Sequence, residues 1–280
     1  MNDLSNPPHV PSSLAEQIEH WTDRLFADGY CVIPDLLDQA RIAALDHELD
    51  ADFAETPYCT GGFYGARTKR FGRLLTRSPI ARELVQHPLV LGVTQRVLEP
   101  WCDTVQLNLT QGLALHPGAR PQLPHRDQDM WRGVTGEVEY LVNVMWPFTR
   151  YREANGTTLI WPGSHGRKAL EPEPSCDPVP VKMEPGAALL FLGSTLHGAG
   201  GNRSAEVRRG AIISYCLGWL KPYENQWLAY PPAVAASSNP SWRRWSAMLS
   251  TGPILATTKA NAPQSFCAAR FRNAQERPMR

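Results

Sequence analysis

The chain has 280 residues, 42% hydrophobic and 20% charged, an ordinary balance for a soluble globular protein and a length that one domain can hold. A formal net charge of +1 argues against a nucleic-acid partner, and no apolar run reaches the length of a membrane span. The six cysteines are scattered with no CxxC pair, and the N-terminus reads as lacking a secretory signal, so the expected setting is a reducing cytosol rather than a disulfide or zinc scaffold.

Residues 1–12 are rich in Pro, Ser and Asn and are expected to be disordered. A helix is predicted next. Ser13 and Glu16 have capping-box spacing, Leu14, Ile18, Trp21 and Leu25 recur at helical intervals, and Gly29 ends it. Tyr30-Cys31-Val32-Ile33 reads as a strand stopped by Pro34. Asp38 caps a second helix with Ile42, Leu45, Leu49 and Phe53 on one face. Residues 54–77 carry Gly61-Gly62 and the basic cluster Arg67, Lys69, Arg70 and Arg73, and read as a long mobile loop that could serve as a lid. Ser78-Pro79 starts a third helix expected to run to about Glu99.

After residue 100 the pattern changes to short strands. Val105–Thr110 alternates apolar with polar, leaving one face buried and one available. Tyr140–Trp146, Thr157–Trp161, Ala187–Leu192 and Ala211–Leu217 are further strand candidates, separated by Gly/Pro turns. Helices followed by many short strands predict an antiparallel sandwich or jelly roll with helices packed on one side. A late helix is expected near Trp242–Leu249, and an irregular tail after Thr257.

Three side chains stand out. His125 and Asp127 lie two residues apart just after a Gly/Pro-rich stretch, and His197 sits among small residues after an apolar strand. One residue between His125 and Asp127 puts both on one side of an extended segment. Two imidazoles and one carboxylate on one octahedral face leave three positions open, which is the facial triad of non-haem iron oxygenases. An isolated HxD triplet can equally be a hydrogen-bonded surface loop, and a lone histidine is more often structural. His9, His20, His47, His87 and His116 are read that way. The combination, with an arginine at Arg208 opening the next apolar run, favours a metal centre.

The chain resembles the phytanoyl-CoA dioxygenase family, a branch of the iron/2-oxoglutarate dioxygenases, and looks closest to members acting on natural products. The resemblance runs from about residue 20 to about 230. It rests on Phe26–Pro34, on Gln122–Gln128 around the HxD triplet, on Asn155–His165 (NGTTLIWPGSH) and on Gly218–Gln226. It implies a double-stranded β-helix, or jelly roll, with iron(II), 2-oxoglutarate and dioxygen. Carried over, His125, Asp127 and His197 would hold iron, and Arg208 would grip the distal carboxylate of 2-oxoglutarate. Gln122 and Thr158 would hydrogen-bond the co-substrate, with Asn108 a weaker candidate. Neighbouring strand residues face opposite ways, so only one of Arg208 and Arg209 can point inward; spacing favours Arg208. His165 belongs to a turn motif rather than to a ligand set. Halogenating relatives replace the carboxylate with a small residue, so Asp127 argues against that chemistry.

Phe63 and Tyr64, beside flexible glycines, and Met130 and Trp131, just past the triplet, are candidate substrate contacts, as are Trp146 and Trp219 unless they are core. The basic cluster offers an anion or CoA site in one reading and a solvated loop in the other. The expected partner is a mid-sized apolar small molecule, such as a polyketide, terpenoid or alkaloid, with no nucleic acid or membrane. A homodimer is left open. The competing readings are an acyl-CoA or lipid hydroxylase with the same machinery, and a jelly-roll binding protein with a silent metal site.

Overall fold

The structure is a computed structural model that describes residues 13–231. The expected disorder over 1–12, the helix near Trp242–Leu249 and the tail after Thr257 fall outside the described residues.

Helix α1 (Leu14–Asp28) forms with the capping box its sequence spells. The Ser13 hydroxyl accepts from the Glu16 amide at 3.2 Å, and the Glu16 carboxylate accepts from the Ser13 amide at 3.3 Å. Gly29, at φ 79°, closes it and turns the chain into strand β1 (Tyr30–Ile33). The second helix breaks at Leu49 into α2 (Gln39–Glu48) and α3 (Asp50–Glu55), with Ile42, Leu45, Leu49 and Phe53 all buried.

Two expectations are corrected here. The 54–77 region is not one long loop. It contains strand β2 (Thr68–Gly72) and the short helix α4 (Leu74–Arg77), and its irregular part is anchored by a bridge between Tyr58 and Lys69. The strand is hard to see in the sequence because charged Lys69 and Arg70 occupy its middle; each finds a polar partner within the fold. The helix expected over 78–99 is two helices, α5 (Pro79–Val85) and α6 (Pro88–Leu98). Pro88 forces His87 out of the helical region, to φ −61°, ψ 119°, and begins the second helix itself.

The remaining elements are β3 (Val105–Leu115), β4 (Leu141–Pro147), β5 (Thr158–Ile160), β6 (Val179–Pro180), β7 (Ala188–Leu192), β8 (His197–Ala199), β9 (Arg208–Leu217) and helix α7 (Gln226–Ala229). Six strands form one antiparallel sheet in the order β1-β7-β4-β9-β3-β2, and three form a second in the order β6-β5-β8. One cluster of buried side chains joins the sheets: Leu113, Met145, Leu189 and Phe191 from the large sheet pack with Ile160 from the small one. This is the jelly-roll core. The opposite face of the large sheet packs on the helices, with Val144, Trp146, Leu190, Ile213 and Tyr215 against Leu45, Leu84, Val90 and Val97. Burying each such side chain contributes roughly 1.5–3 kcal/mol, so this layer anchors the sheet whose other face carries the site. Among the described residues no helix is long and apolar enough to cross a membrane.

Candidate metal centre and its cavity

The triad assembles across the edge of the small sheet. His125 and His197 form an isolated antiparallel bridge, each amide donating to the other's carbonyl at 2.9 and 3.0 Å. Asp127 begins a 3-10 turn, Asp127–Met130, that swings its carboxylate back toward both rings. Asp127 Oδ1 lies 3.5 Å from His125 Nε2, and Oδ2 lies 3.7 Å from His197 Nε2. The three candidate ligand atoms all fall within 4.8 Å of one another.

The rings are held in the right tautomer. His125 Nδ1 donates to the Leu123 carbonyl at 2.9 Å, and His197 Nδ1 donates to the Thr195 carbonyl at 3.0 Å. Both Nε2 lone pairs therefore face the carboxylate. Burial pushes the His197 imidazole down to about 4, so it is neutral and able to ligate at physiological pH. Burial alone would raise the Asp127 carboxyl; the two imidazoles and Arg70 outweigh it and hold the group below the usual carboxylate range.

A cavity of about 380 Å³ opens beside the triad. Leu113, Met145, Phe191 and Ile212 make its apolar wall, and Arg208 lies among them. Arg208 is 2% exposed and packs over the Tyr151 ring at 4.3 Å. Its Nε and Nη1 have no hydrogen-bond partner. A buried guanidinium with two unused donors is strongly disfavoured unless an anion completes it, and burial pulls its pKa below the usual arginine value. Arg209 faces the other way and pairs with Asp46 and Asp50 at 3.3 and 2.6 Å. The two donors of Arg208 suit a carboxylate, and the triad, with hard and borderline donors and no thiolate, suits a divalent iron.

Thr158, 5% exposed, and Gln122 both line this cavity. Gln122 Oε1 accepts from the Ala199 amide at 3.4 Å, which leaves its amide nitrogen for a ligand. Asn108 also lines it, but both ends of its side chain are engaged. Nδ2 donates to Ser214 Oγ at 2.9 Å, and Oδ1 accepts from the Tyr223 amide at 2.8 Å. Asn108 thus sits at the β3 bulge as a brace for Tyr223, and only the second Nδ2 proton is left for the co-substrate.

At the mouth, Phe63 packs edge-on against the His125 ring at 4.8 Å, and Tyr64 lies beside Tyr223 with the hydroxyls 3.5 Å apart. Met130 is 41% exposed and lines the opening. Trp131 does not. The turn directs its indole away, where it stacks near Tyr140 and donates to the Lys221 carbonyl at 3.0 Å. Trp146 is fully buried on the helix side of the sheet, and Trp219 is exposed, donating to the Trp101 carbonyl, so neither lines the cavity.

Sequence reasoning left two residues in the background. Arg70, one of four in the basic cluster, alone of the four lines the cavity. It donates to Gln111 Oε1 at 2.9 Å, packs over the Tyr64 ring at 4.6 Å and leaves Nε without a partner. Its signal was the alternation Thr68, Arg70, Gly72 on one side of β2, hidden by the charge run. Tyr223 stood out only as part of a motif.

Fold and site together define a jelly-roll protein with a two-histidine, one-carboxylate metal centre and a cationic pocket beside it. The phytanoyl-CoA dioxygenase (PhyH) family model matches residues 26–210. The chain is 32% identical to "Dioxygenase trt7" of Aspergillus terreus, over 79% of this chain and 78% of that one. It is 31% identical to "Dioxygenase FrzG" of Cladobotryum sp, over 71% and 68%. Among solved structures it is similar to SnoN, a non-haem alpha-ketoglutarate-dependent epimerase from nogalamycin biosynthesis, with a TM-score of 0.61 at 20% identity over 72% of this chain and 83% of that one. The chain belongs to the phytanoyl-CoA dioxygenase family and is an oxidoreductase of the dioxygenase type.

Proposed function

We propose that this protein is an iron(II)/2-oxoglutarate dioxygenase that oxidises a small-molecule natural product, releasing succinate and carbon dioxide. Hydroxylation is the simplest outcome; desaturation or rearrangement would follow from how the substrate is held. The observation that carries this reading is a triad with both Nε2 atoms turned inward, sharing one cavity with a buried arginine whose donors are unused. SnoN, a structural neighbour, has been crystallised with Fe3+, alpha ketoglutarate and a nogalamycin compound.

His125, Asp127 and His197 would hold the metal. With co-substrate and dioxygen, the bound metal supplies the oxidising chemistry and the protein supplies placement. Arg208 binds one carboxylate of the diacid, and the apolar wall of Leu113, Met145, Phe191 and Ile212 keeps water from that pair. Arg70 offers a second guanidinium to the other carboxylate, assisted by Gln122 and Thr158. Phe63, Tyr64, Met130 and Tyr223 present an apolar rim to the substrate and exclude water from the reacting bond. Every one of these groups falls between residues 63 and 223, so we read the site as complete within one domain.

The acyl-CoA alternative draws less support from the basic cluster. Lys69 is engaged with the Phe53 and Ala54 carbonyls, Arg73 Nε with the Ala229 carbonyl, and Arg70 lines the cavity, so the four cations do not present one shared surface to a phosphate; Arg67 and Arg73 are the exposed members. A mid-sized apolar substrate fits the rim better. The described cysteines are all free, which supports a reducing compartment such as the cytosol.

The test is succinate release from 2-oxoglutarate under iron, ascorbate and oxygen with a panel of free natural products and acyl-CoAs. Turnover is expected with the former and should vanish in D127A. Undiminished turnover in that variant would refute the ligand assignment, and no succinate from wild-type protein with any compound would favour the silent binding protein.

A further inference from the structure

The triplet His125-Arg126-Asp127 supplies two of the three metal-binding groups, and its middle residue points the opposite way. Arg126 Nη1 donates to two backbone carbonyls, that of Ser164 at 2.6 Å and that of Ser194 at 2.5 Å. Both belong to the surroundings of His197. Ser194 opens the Ser194-Thr195-Leu196 turn that delivers His197, and Ser164 reaches the end of the same turn: its hydroxyl accepts from the Leu196 amide at 2.9 Å and donates to the Trp161 carbonyl at 2.6 Å.

The turn is held from other sides as well. The Glu139 carboxyl receives the Ser194 amide at 3.1 Å and the Ser194 hydroxyl at 2.5 Å. Thr195 Oγ1 donates to the Gly29 carbonyl at 2.8 Å, and the Thr195 carbonyl orients the His197 ring. Each residue of the turn is therefore fixed by a side-chain hydrogen bond to a different segment. Among the described residues, Arg126 is the side chain that ties this turn to the segment bearing the other two ligands. A charged donor shared by two carbonyls is among the stronger hydrogen-bonding arrangements, and here it is half-buried.

We propose that Arg126 is a positioning residue for the metal centre. The backbone bridge between His125 and His197 sets their spacing, and Arg126 holds the Ser194-Thr195-Leu196 turn against the His125/Asp127 segment, so the His197 ring stays aimed at the other two ligands before any metal binds. The arrangement also explains Ser164, in the Pro162-Gly163-Ser164-His165 motif, which closes the clamp from the far side. His165 is engaged elsewhere, with the Phe26 carbonyl at 2.9 Å. The inference rests on the iron-site reading above, and its test separates the two.

The test is a titration of the metal-free protein with Co(II), followed by visible d–d absorption, for wild type, R126M, R126K and S164A. Wild type is expected to bind. R126M should bind about 10–100-fold more weakly, the usual effect of removing a group that orients metal ligands. R126K keeps a charged donor able to reach both carbonyls and should recover most of the loss, whereas S164A should weaken binding several-fold. A merely structural arginine would lower the melting temperature of R126M and leave the Co(II) affinity of the folded protein unchanged; that result overturns the proposal. Should R126M fail to fold, R126Q, which lacks the charge and the reach to bridge the Ser164 and Ser194 carbonyls, takes its place, and wild-type Co(II) affinity in R126Q overturns the proposal instead. No Co(II) binding by wild type would defeat the metal-site reading itself.

Discussion

The two faces of the large sheet are built from the same strands and solve opposite problems. Along β9, Arg209, Ala211, Ile213, Tyr215 and Leu217 face the helices, while Arg208, Ile212 and Ser214 face the second sheet. On the helix side the apolar groups pack on one another; the exceptions, Arg209 and the Tyr215 hydroxyl, find partners in Asp46 and Asp50 and in the Val85 carbonyl. On the cavity side a guanidinium is buried with donors unused. One face is optimised for stability. The other holds a group that destabilises the fold until a ligand arrives, as functional sites commonly do.

The sharpest way to break this contrast is to exchange the adjacent arginines. R208M should raise the KM for 2-oxoglutarate by at least ~30-fold, since a buried charge pair loses ~2–5 kcal/mol when one partner is truncated. The same variant, without ligand, should melt higher than wild type, because an uncompensated buried charge has been replaced by apolar volume. A lower melting temperature would mean that Arg208 has partners within the fold. On the helix face, I213V should destabilise by ~0.5–1.5 kcal/mol in a denaturant titration and leave the KM unchanged. R209M should change stability by less than ~1 kcal/mol, as its ion pairs are partly exposed, again without effect on the co-substrate.

A smaller effect sharpens the comparison by pH. Glu139 is buried, and burial pushes its carboxyl up to about 7 against the bonds from Ser194. Its folded value lies above the unfolded one near 4.5, so the folded state binds the proton more tightly. The contribution to stability is full below about 4.5, falls as pH rises toward 7 and is level above it. E139Q should flatten that slope in a series of melting curves between these values. An unchanged slope would assign it to another group.

Much of this was legible in the sequence, for identifiable reasons. The capping box at Ser13 and the proline-started helix at Ser78 are local signals, and the structure realises them; the alternation over Val105–Thr110 marked a strand, but its polar residues Gln106, Asn108 and Thr110 are buried rather than available. The triad and Arg208 could be named because a few ordered motifs resemble one family; the structure brings them to one cavity. What escaped was decided by contacts distant in sequence. Arg70 could not be told from its basic neighbours until β2 paired with β3 and turned it inward. Trp131 was misplaced because the 3-10 turn after Asp127 rotates it away from the mouth. That Asn108 also braces Tyr223 was hidden because its partners, Ser214 and Tyr223, lie more than a hundred residues away.

The central claim is that His125, Asp127 and His197 hold one iron(II) with room for a chelating diacid anchored by Arg208. Its most direct test is the visible absorption of the protein when iron(II) and then 2-oxoglutarate are added without oxygen. A charge-transfer band that saturates at one iron per chain, and that is lost in D127A, is the predicted result. A folded wild-type protein that gives no band with both present would contradict it.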